Sequence, residues 1–82
     1  MTWSVVTGDD AWADLGRLSP TERADLTDLL VAWVNTGPPR RNRRPLLGMQ
    51  DVFVDEVVPG ISVTYFADEA TGIVGVLRIR KR

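Results

Sequence analysis

The sequence predicts an α+β domain in which two N-terminal helices pack on one face of a small antiparallel sheet. Three observations predict this class: an amphipathic segment lies early in the chain, three β-rich runs follow it, and turn residues separate those runs. The 82 residues, 44% of them hydrophobic, suffice for one modest core, so residues 1–82 are predicted to form a single domain. The predicted order of elements is β-α-α-β-β-β.

The N-terminal segment predicts a strand and then a short helix. Residues 3–7 are rich in aromatic and β-branched side chains, and Gly8 ends the run. Asp9 or Asp10 is expected to cap a helix that continues to Leu15. Trp12 lies three residues before Leu15, so both are expected on one face of that helix.

The second helix has the strongest local signals. Ser19, Pro20 and Glu22 match a capping box with proline at the first helical position. Gly37 and the prolines after it predict where the helix ends. Between these limits runs an apolar stripe at helical spacing, formed by Leu26, Leu29, Leu30 and Trp33. We expect this helix to pack on the core.

Three strands are predicted at residues 52–58, 61–67 and 73–80, the first two joined by a tight turn at Pro59 and Gly60. Because side chains alternate between the faces of a strand, parity predicts which of them are buried. The buried set is predicted to be Ile61, Val63, Tyr65, Ile73, Gly75, Leu77 and Ile79. The face away from the helices is then predicted to carry Val74, Val76, Arg78, Arg80 and Arg82.

The composition excludes several classes of chemistry. The chain has no cysteine and no histidine, which rules out disulfides, thiolate nucleophiles and the Ser-His-Asp arrangement, and removes the commonest zinc ligands. We therefore expect no metal and no cofactor. The apolar run at residues 29–34 is too short to span a bilayer, and the N-terminus lacks a secretory pattern. A cytoplasmic location without membrane contact is expected.

The positive charge is concentrated, although the formal net charge is −1. One group of basic residues precedes the sheet and the other ends the chain; they are Arg40, Arg41, Arg43, Arg44, Arg78, Arg80, Lys81 and Arg82. On a strand, alternate arginines stand roughly 6–7 Å apart, which suits phosphate binding. The alternative is a solvated edge balanced by Asp55, Glu56 or Glu69. The first group is either a soluble linker or an extension of the same positive region.

The predicted open face also carries apolar residues, namely Val52, Val54, Val58, Phe66, Val74 and Val76. Such exposure favours a protein partner. A homodimer contact or a segment of the chain itself could cover the same surface.

Several stretches together resemble the RelE/ParE superfamily of bacterial toxins. They are residues 15–19 before the long helix, 38–40 and 45–49 before the sheet, 63–65 in the middle strand and 76–82 at the end of the chain. The resemblance implies a toxin of a type II toxin–antitoxin pair, bound by a cognate antitoxin. RelE-like members are metal-independent endoribonucleases that cut mRNA on the ribosome, whereas ParE-like members inhibit DNA gyrase.

The resemblance also implies roles for the basic residues. Arg82 matches a catalytic arginine of RelE-like enzymes, with Lys81 beside it, and Arg78 and Arg80 would complete a rearranged catalytic site. We expect Lys81, Arg40, Arg41, Arg43 and Arg44 to bind RNA phosphates. At three positions the sequence departs from the RelE-like pattern: Val54 and Glu56 stand where lysines are expected, and Ser62 where an arginine is expected. The alternative is a non-catalytic binding protein on the same scaffold, either a ParE-like gyrase inhibitor or an inactive toxin homologue. A housekeeping or phage-encoded interaction module is a third class.

Overall fold

The structure, a computed structural model, describes residues 2–41 and 43–82. Its elements are β1 (Ser4–Thr7), α1 (Asp9–Gly16), α2 (Pro20–Thr36), β2 (Arg44–Pro45), β3 (Val52–Val58), β4 (Ile61–Asp68) and β5 (Ile73–Lys81). The predicted α+β class, with two helices on one face of a sheet, is confirmed. The two-residue strand β2 adds one element to the predicted order.

The sheet has the strand order β1-β5-β4-β3-β2. Strands β3 to β5 pair antiparallel, as predicted, and the additional strand β2 also pairs antiparallel to β3. Strand β1 pairs parallel to β5 and makes the sheet mixed. The parallel pair covers only the first half of β5, from Ile73 to Val76. Beyond Val76, no strand of the described part of the chain covers the outer edge of β5, and α1 lies near that edge.

Both ends of α2 follow the predicted signals. The hydroxyl of Ser19 accepts a hydrogen bond from the backbone N–H of Glu22 at 3.2 Å, and the Glu22 carboxylate accepts one from the Ser19 N–H at 2.9 Å. The C-cap is Gly37, with φ of +74°, where a Cβ atom would lie 2.6 Å from Nε1 of Trp3. The tight packing of Trp3 on this turn requires glycine.

The start of α1 differs from the prediction. Its N-cap is Gly8, which has no side chain to accept a capping hydrogen bond, and Asp9 and Asp10 lie in the first turn instead. There their charges interact favourably with the helix dipole. Trp12 is 61% exposed while Leu15 is buried, so these two residues do not share the buried face.

The core lies between the two helices and the face of the sheet that they cover. Leu26 and Trp33 are buried, and the Trp33 ring meets Tyr65 of β4 edge-on, with ring centroids 5.0 Å apart. The predicted alternation in β4 is confirmed, because Ile61, Val63 and Tyr65 are all buried. Because the helices pack on this face of the sheet, the opposite face remains open.

The prediction of which β5 side chains face the core is wrong for the first half of the strand. Val74 and Val76 are fully buried, while Ile73 and Leu77 are 41% and 38% exposed. The cause is a β-bulge: Thr64 pairs with Arg78 and Tyr65 with Val76, which leaves Leu77 as an extra residue. A strict two-residue period drawn backward from Ile79 therefore assigns every residue before the bulge to the wrong face.

A second bulge lies in β3, where Glu56 pairs with Ser62 but Val58 pairs with Ile61. It turns Val58 toward the core, which corrects the prediction that Val58 faces outward. Val74 and Val76 also leave the open face, and Ile73 and Gly75 take their places on it. Val52 pairs with Phe66 on that face but is only 4% exposed.

Residues that pair directly across antiparallel strands share a face. The register therefore defines two rows on the side of the sheet opposite the core, which we call the open face. The first row runs through Arg44, Val54, Thr64 and Arg78, and the second runs through Glu56, Ser62 and Arg80. Within residues 2–41 and 43–82, no helix combines the length and the apolarity needed to cross a membrane.

Candidate functional site

The cations at the end of β5 point in different directions. Arg78 and Arg80 lie on the open face by register, whereas Lys81 pairs with Ile61 on the helix side and its Nζ lies 2.9 Å from Oε2 of Glu22. Arg82 follows the strand, and its guanidinium forms an ion pair with Glu56. Arg78 and Arg80 thus start from one face, but the four cations of this segment do not gather around one common partner.

Arg78 is held by Asp14 of α1. The two oxygens of Asp14 accept hydrogen bonds from Nε and Nη2 of Arg78, at 2.8 and 3.1 Å, and from the backbone N–H of Ile79 at 2.9 Å. The same carboxylate accepts a hydrogen bond from Nη1 of Arg17 at 2.9 Å. Asp14 is only 5% exposed, and its hydrogen bonds with Arg78 hold the pKa of the carboxyl below its ordinary value.

A cleft of about 270 Å³ lies between the C-terminal end of α1 and β5. Its charged lining consists of Asp14, Arg17, Arg78, Arg80 and Lys81. Sequence reasoning did not select Asp14 or Arg17 as site residues. Their three-residue spacing was a signal for a helical ion pair, but Arg78 lies 64 residues further along the chain.

Arg80 is exposed, and the described residues place no carboxylate within 4.0 Å of its guanidinium. This distinguishes it from Arg78 and Arg82, each of which has an acidic partner. An arginine without a partner keeps its full set of planar donors for an anion. Arg80 is therefore the most available cation at this end of the open face.

Around Arg80 the open face combines several chemical groups. The register aligns it with Ser62 and Glu56, and the Glu56 carboxylate contacts Arg82. Since neighbouring strands lie roughly 4.8 Å apart, the Cα atoms of Glu56 and Arg80 are separated by about 10 Å. This width accommodates a phosphodiester between a carboxylate that can accept a proton and guanidiniums that can bind phosphate oxygens.

The basic residues at positions 40–44 are dispersed. Arg44 lies in the first row of the open face. Its Cα atom is about 14 Å from that of Arg78, which corresponds to three strand spacings. Arg43 instead stacks on the ring of Phe53, with its guanidinium carbon 4.0 Å from the centroid. Arg40 pairs with Glu69, beyond the far end of β4, and Arg41 is exposed in the connection. Only Arg44 of this stretch shares the face with the arginines of β5.

Another buried acid, Asp55, belongs to the core side of β3. It is 7% exposed and pairs in register with Val63, and burial raises its pKa above the ordinary value. In the part of the chain that the structure describes, no group of three or more His, Cys, Asp or Glu residues is arranged to hold a metal ion. The chemistry available on the open face is therefore that of guanidinium, hydroxyl and carboxylate groups.

No protein-family model matches the sequence, and no curated protein sequence matches it significantly. Solved structures do match: the isolated RelE toxin of Escherichia coli aligns with 96% of this chain and 83% of its own, at a TM-score of 0.74 and 21% identity. The chain has the RelE fold. A chain of the toxin–antitoxin complex RelBE2 from Mycobacterium tuberculosis covers 100% of both chains, at a TM-score of 0.79 and 21% identity.

A chain of the archaeal RelE–RelB complex from Pyrococcus horikoshii is also similar, with a TM-score of 0.78 at 16% identity over 100% of this chain and 97% of that one. At such identities the shared property is the fold. On this RelE fold, Val54, Glu56 and Ser62 all lie on the open face. The three positions where the sequence departs from the RelE-like pattern therefore fall on the surface that also carries Arg80.

Proposed function

We propose that the protein is a RelE-like toxin of a type II toxin–antitoxin pair, which cleaves ribosome-bound mRNA with its cationic open face. The observation that carries this proposal is Arg80, a guanidinium without an acidic partner among the described residues, in one row with Ser62 and Glu56. The fold shared with the isolated RelE toxin of E. coli supports the same reading.

The proposed reaction is attack of a ribose 2′-oxygen on the adjacent phosphorus. The 2′-oxygen loses its proton to Glu56 and forms a bond to phosphorus, while the bond to the 5′-oxygen breaks and that oxygen takes a proton from water. Arg80 and Arg82 stabilise the negative charge that develops on the phosphoryl oxygens. Ser62 is positioned to donate a hydrogen bond to the same group.

A cognate antitoxin is the proposed partner, because similar structures are RelE–RelB complexes. The hairpin turn between β2 and β3 supports a protein contact, since Leu47 is 98% exposed and Met49 is 52% exposed. Action on ribosomes implies the cytoplasm as the site of activity.

The role of Glu56 can be tested by its replacement with glutamine. Coulomb's law alone predicts that removing a negative charge near a scissile phosphate speeds cleavage, whereas loss of a proton acceptor slows it. We expect Glu56→Gln to slow cleavage of mRNA on programmed ribosomes by at least about 100-fold, within the usual range for acid–base groups. Primer extension on the mRNA gives the rate and the position of the cut.

The control is Glu69→Gln, which removes another surface glutamate that pairs with an arginine, beyond the end of β4 that lies away from Ser62. It should cleave at the wild-type rate. If the wild-type protein leaves ribosome-bound mRNA intact but inhibits DNA supercoiling by gyrase or arrests growth, the nuclease proposal is wrong. The non-catalytic reading would then replace it.

A further inference from the structure

The cleft between α1 and β5 is a second cationic region, at the edge of the sheet where it adjoins the open face. At its base the buried Asp14 carboxylate contacts Arg17, Arg78 and the backbone of Ile79. These contacts join α1 to the part of β5 that β1 does not cover. The buried Asp14 carboxylate therefore holds the arginines of the cleft in defined positions.

The arginines keep donors for a ligand. Arg78 uses Nε and Nη2 on Asp14, and Arg17 uses Nη1, so each guanidinium retains further N–H groups. Two guanidiniums share one carboxylate, and the cluster has a net positive charge. The side chain of Arg17 is 72% exposed and that of Arg78 is 40% exposed, so both are accessible from the cleft.

We propose that this cleft binds a backbone phosphate of RNA through Arg17 and Arg78, with Asp14 as the residue that positions both guanidiniums. The inference rests on the proposed function only in taking RNA as the ligand. It assigns a binding role to Arg17 and a positioning role to Asp14, and neither role requires that the protein cleave RNA.

Two features favour RNA over an acidic protein segment. Arg80 lines the cleft and also belongs to the open face, so one RNA strand can pass from one region to the other. Among the described residues, the apolar lining consists of Leu18 and Ile79. A peptide helix or strand would need a larger set of apolar pockets for its anchoring side chains.

The decisive variant is Asp14→Asn, because an effect of net charge alone and a positioning role of Asp14 predict opposite changes in RNA affinity. If the cleft acts only through its net charge, removal of a negative charge tightens anion binding. If Asp14 orients the guanidiniums, its replacement weakens binding even though the cleft becomes more positive. We expect affinity to fall on the order of tenfold, since a bidentate charged contact is lost.

The measurement is fluorescence anisotropy with a short labelled single-stranded RNA at fixed salt. Arg17→Gln should also weaken binding about tenfold, and its exposed position makes it a variant that folds even if Asp14→Asn does not. Arg78→Lys keeps the charge but loses the planar fork, and it should weaken binding as well. Arg40→Gln, which removes an arginine far from the cleft, is the control and should bind as the wild type does. Urea midpoints report whether each variant is folded.

Unchanged affinity in Arg17→Gln, or tighter binding by folded Asp14→Asn, would overturn the proposal. So would an acidic peptide that binds the protein in an Arg17-dependent way while the RNA does not. A peptide nucleic acid of the same sequence, which has no phosphates, should not bind in the cleft. Because binding is measured without ribosomes, a protein that binds RNA through the cleft but fails to cleave it would refute only the nuclease proposal.

Discussion

Asp14 illustrates how one residue can connect the fold to the candidate site. Its carboxylate accepts a hydrogen bond from the backbone N–H of Ile79, at a part of the β5 edge that lies beyond the pairing with β1. It also fixes Arg78, which would otherwise extend freely over the open face. Sequence reasoning recognised Arg78 as a candidate but could not identify this partner, because a contact across 64 residues leaves no periodic signal.

The pKa of Asp14 leads to a prediction about acid stability. A carboxyl group whose pKa is lowered in the folded state stabilises the fold above its unfolded value, near 3.8, and this stabilisation is lost as the pH falls through the lowered folded value. We therefore expect the free energy of unfolding of the wild type to drop below about pH 4. Asp14→Asn should be less stable than the wild type at pH 7 and should show a shallower drop.

Urea unfolding between pH 2 and pH 7, followed by circular dichroism, measures this difference. Glu22, whose pKa is also lowered, is present in both proteins and makes the same contribution to the pH dependence of each. Parallel curves for the wild type and Asp14→Asn would mean that Asp14 has no part in the acid transition.

At the scale of elements, local sequence signals predicted the helix ends and the tight turn, whereas the bulge in β5 depends on pairing with another strand. The limits of α2 followed from its capping box and from Gly37, because both act within one turn of the helix. The tight turn at Gly60 followed from its dipeptide with Pro59. The bulge at Leu77 had no such signal, since both residues around it suit a strand and only the pairing with β4 reveals the extra residue.

The bulge in β5 can be tested with two neighbouring substitutions. Val76→Thr buries a hydroxyl without a partner and should cost about 1–3 kcal/mol of unfolding free energy. Leu77→Thr replaces a side chain that is 38% exposed and should cost less than about 1 kcal/mol. Chemical denaturation of both variants gives the comparison. If Leu77→Thr proves the more costly change, β5 has the uninterrupted period that the sequence alone suggests.

At the scale of the whole molecule, the protein separates its charges in space. The formal net charge is −1, yet the end of β5 gathers Arg78, Arg80, Lys81 and Arg82 beside α1 and the open face. Three of these four residues have an acidic partner, and Arg80 does not among the described residues. We propose that this arrangement provides a local anion site on a protein whose overall charge is close to neutral.

The sequence was sufficient to predict the fold class and the concentration of arginine at the end of the chain. It was not sufficient to show that Arg40 and Arg43 lie away from Arg80, because a connection rich in proline and arginine has no period that fixes its direction. The open face and the RelE fold together lead to one central claim: Arg80 carries the charge stabilisation for cleavage of ribosome-bound mRNA.

The most direct test of that claim is the single-turnover rate of mRNA cleavage on programmed ribosomes by the wild type, Arg80→Ala and Arg40→Ala. Removal of one donor that stabilises a transition-state charge costs about 100-fold to 1,000-fold in rate. We expect a loss of that size for Arg80→Ala and none for Arg40→Ala, which lies beyond the far end of β4. Equal cleavage rates for the wild type and Arg80→Ala would contradict the account.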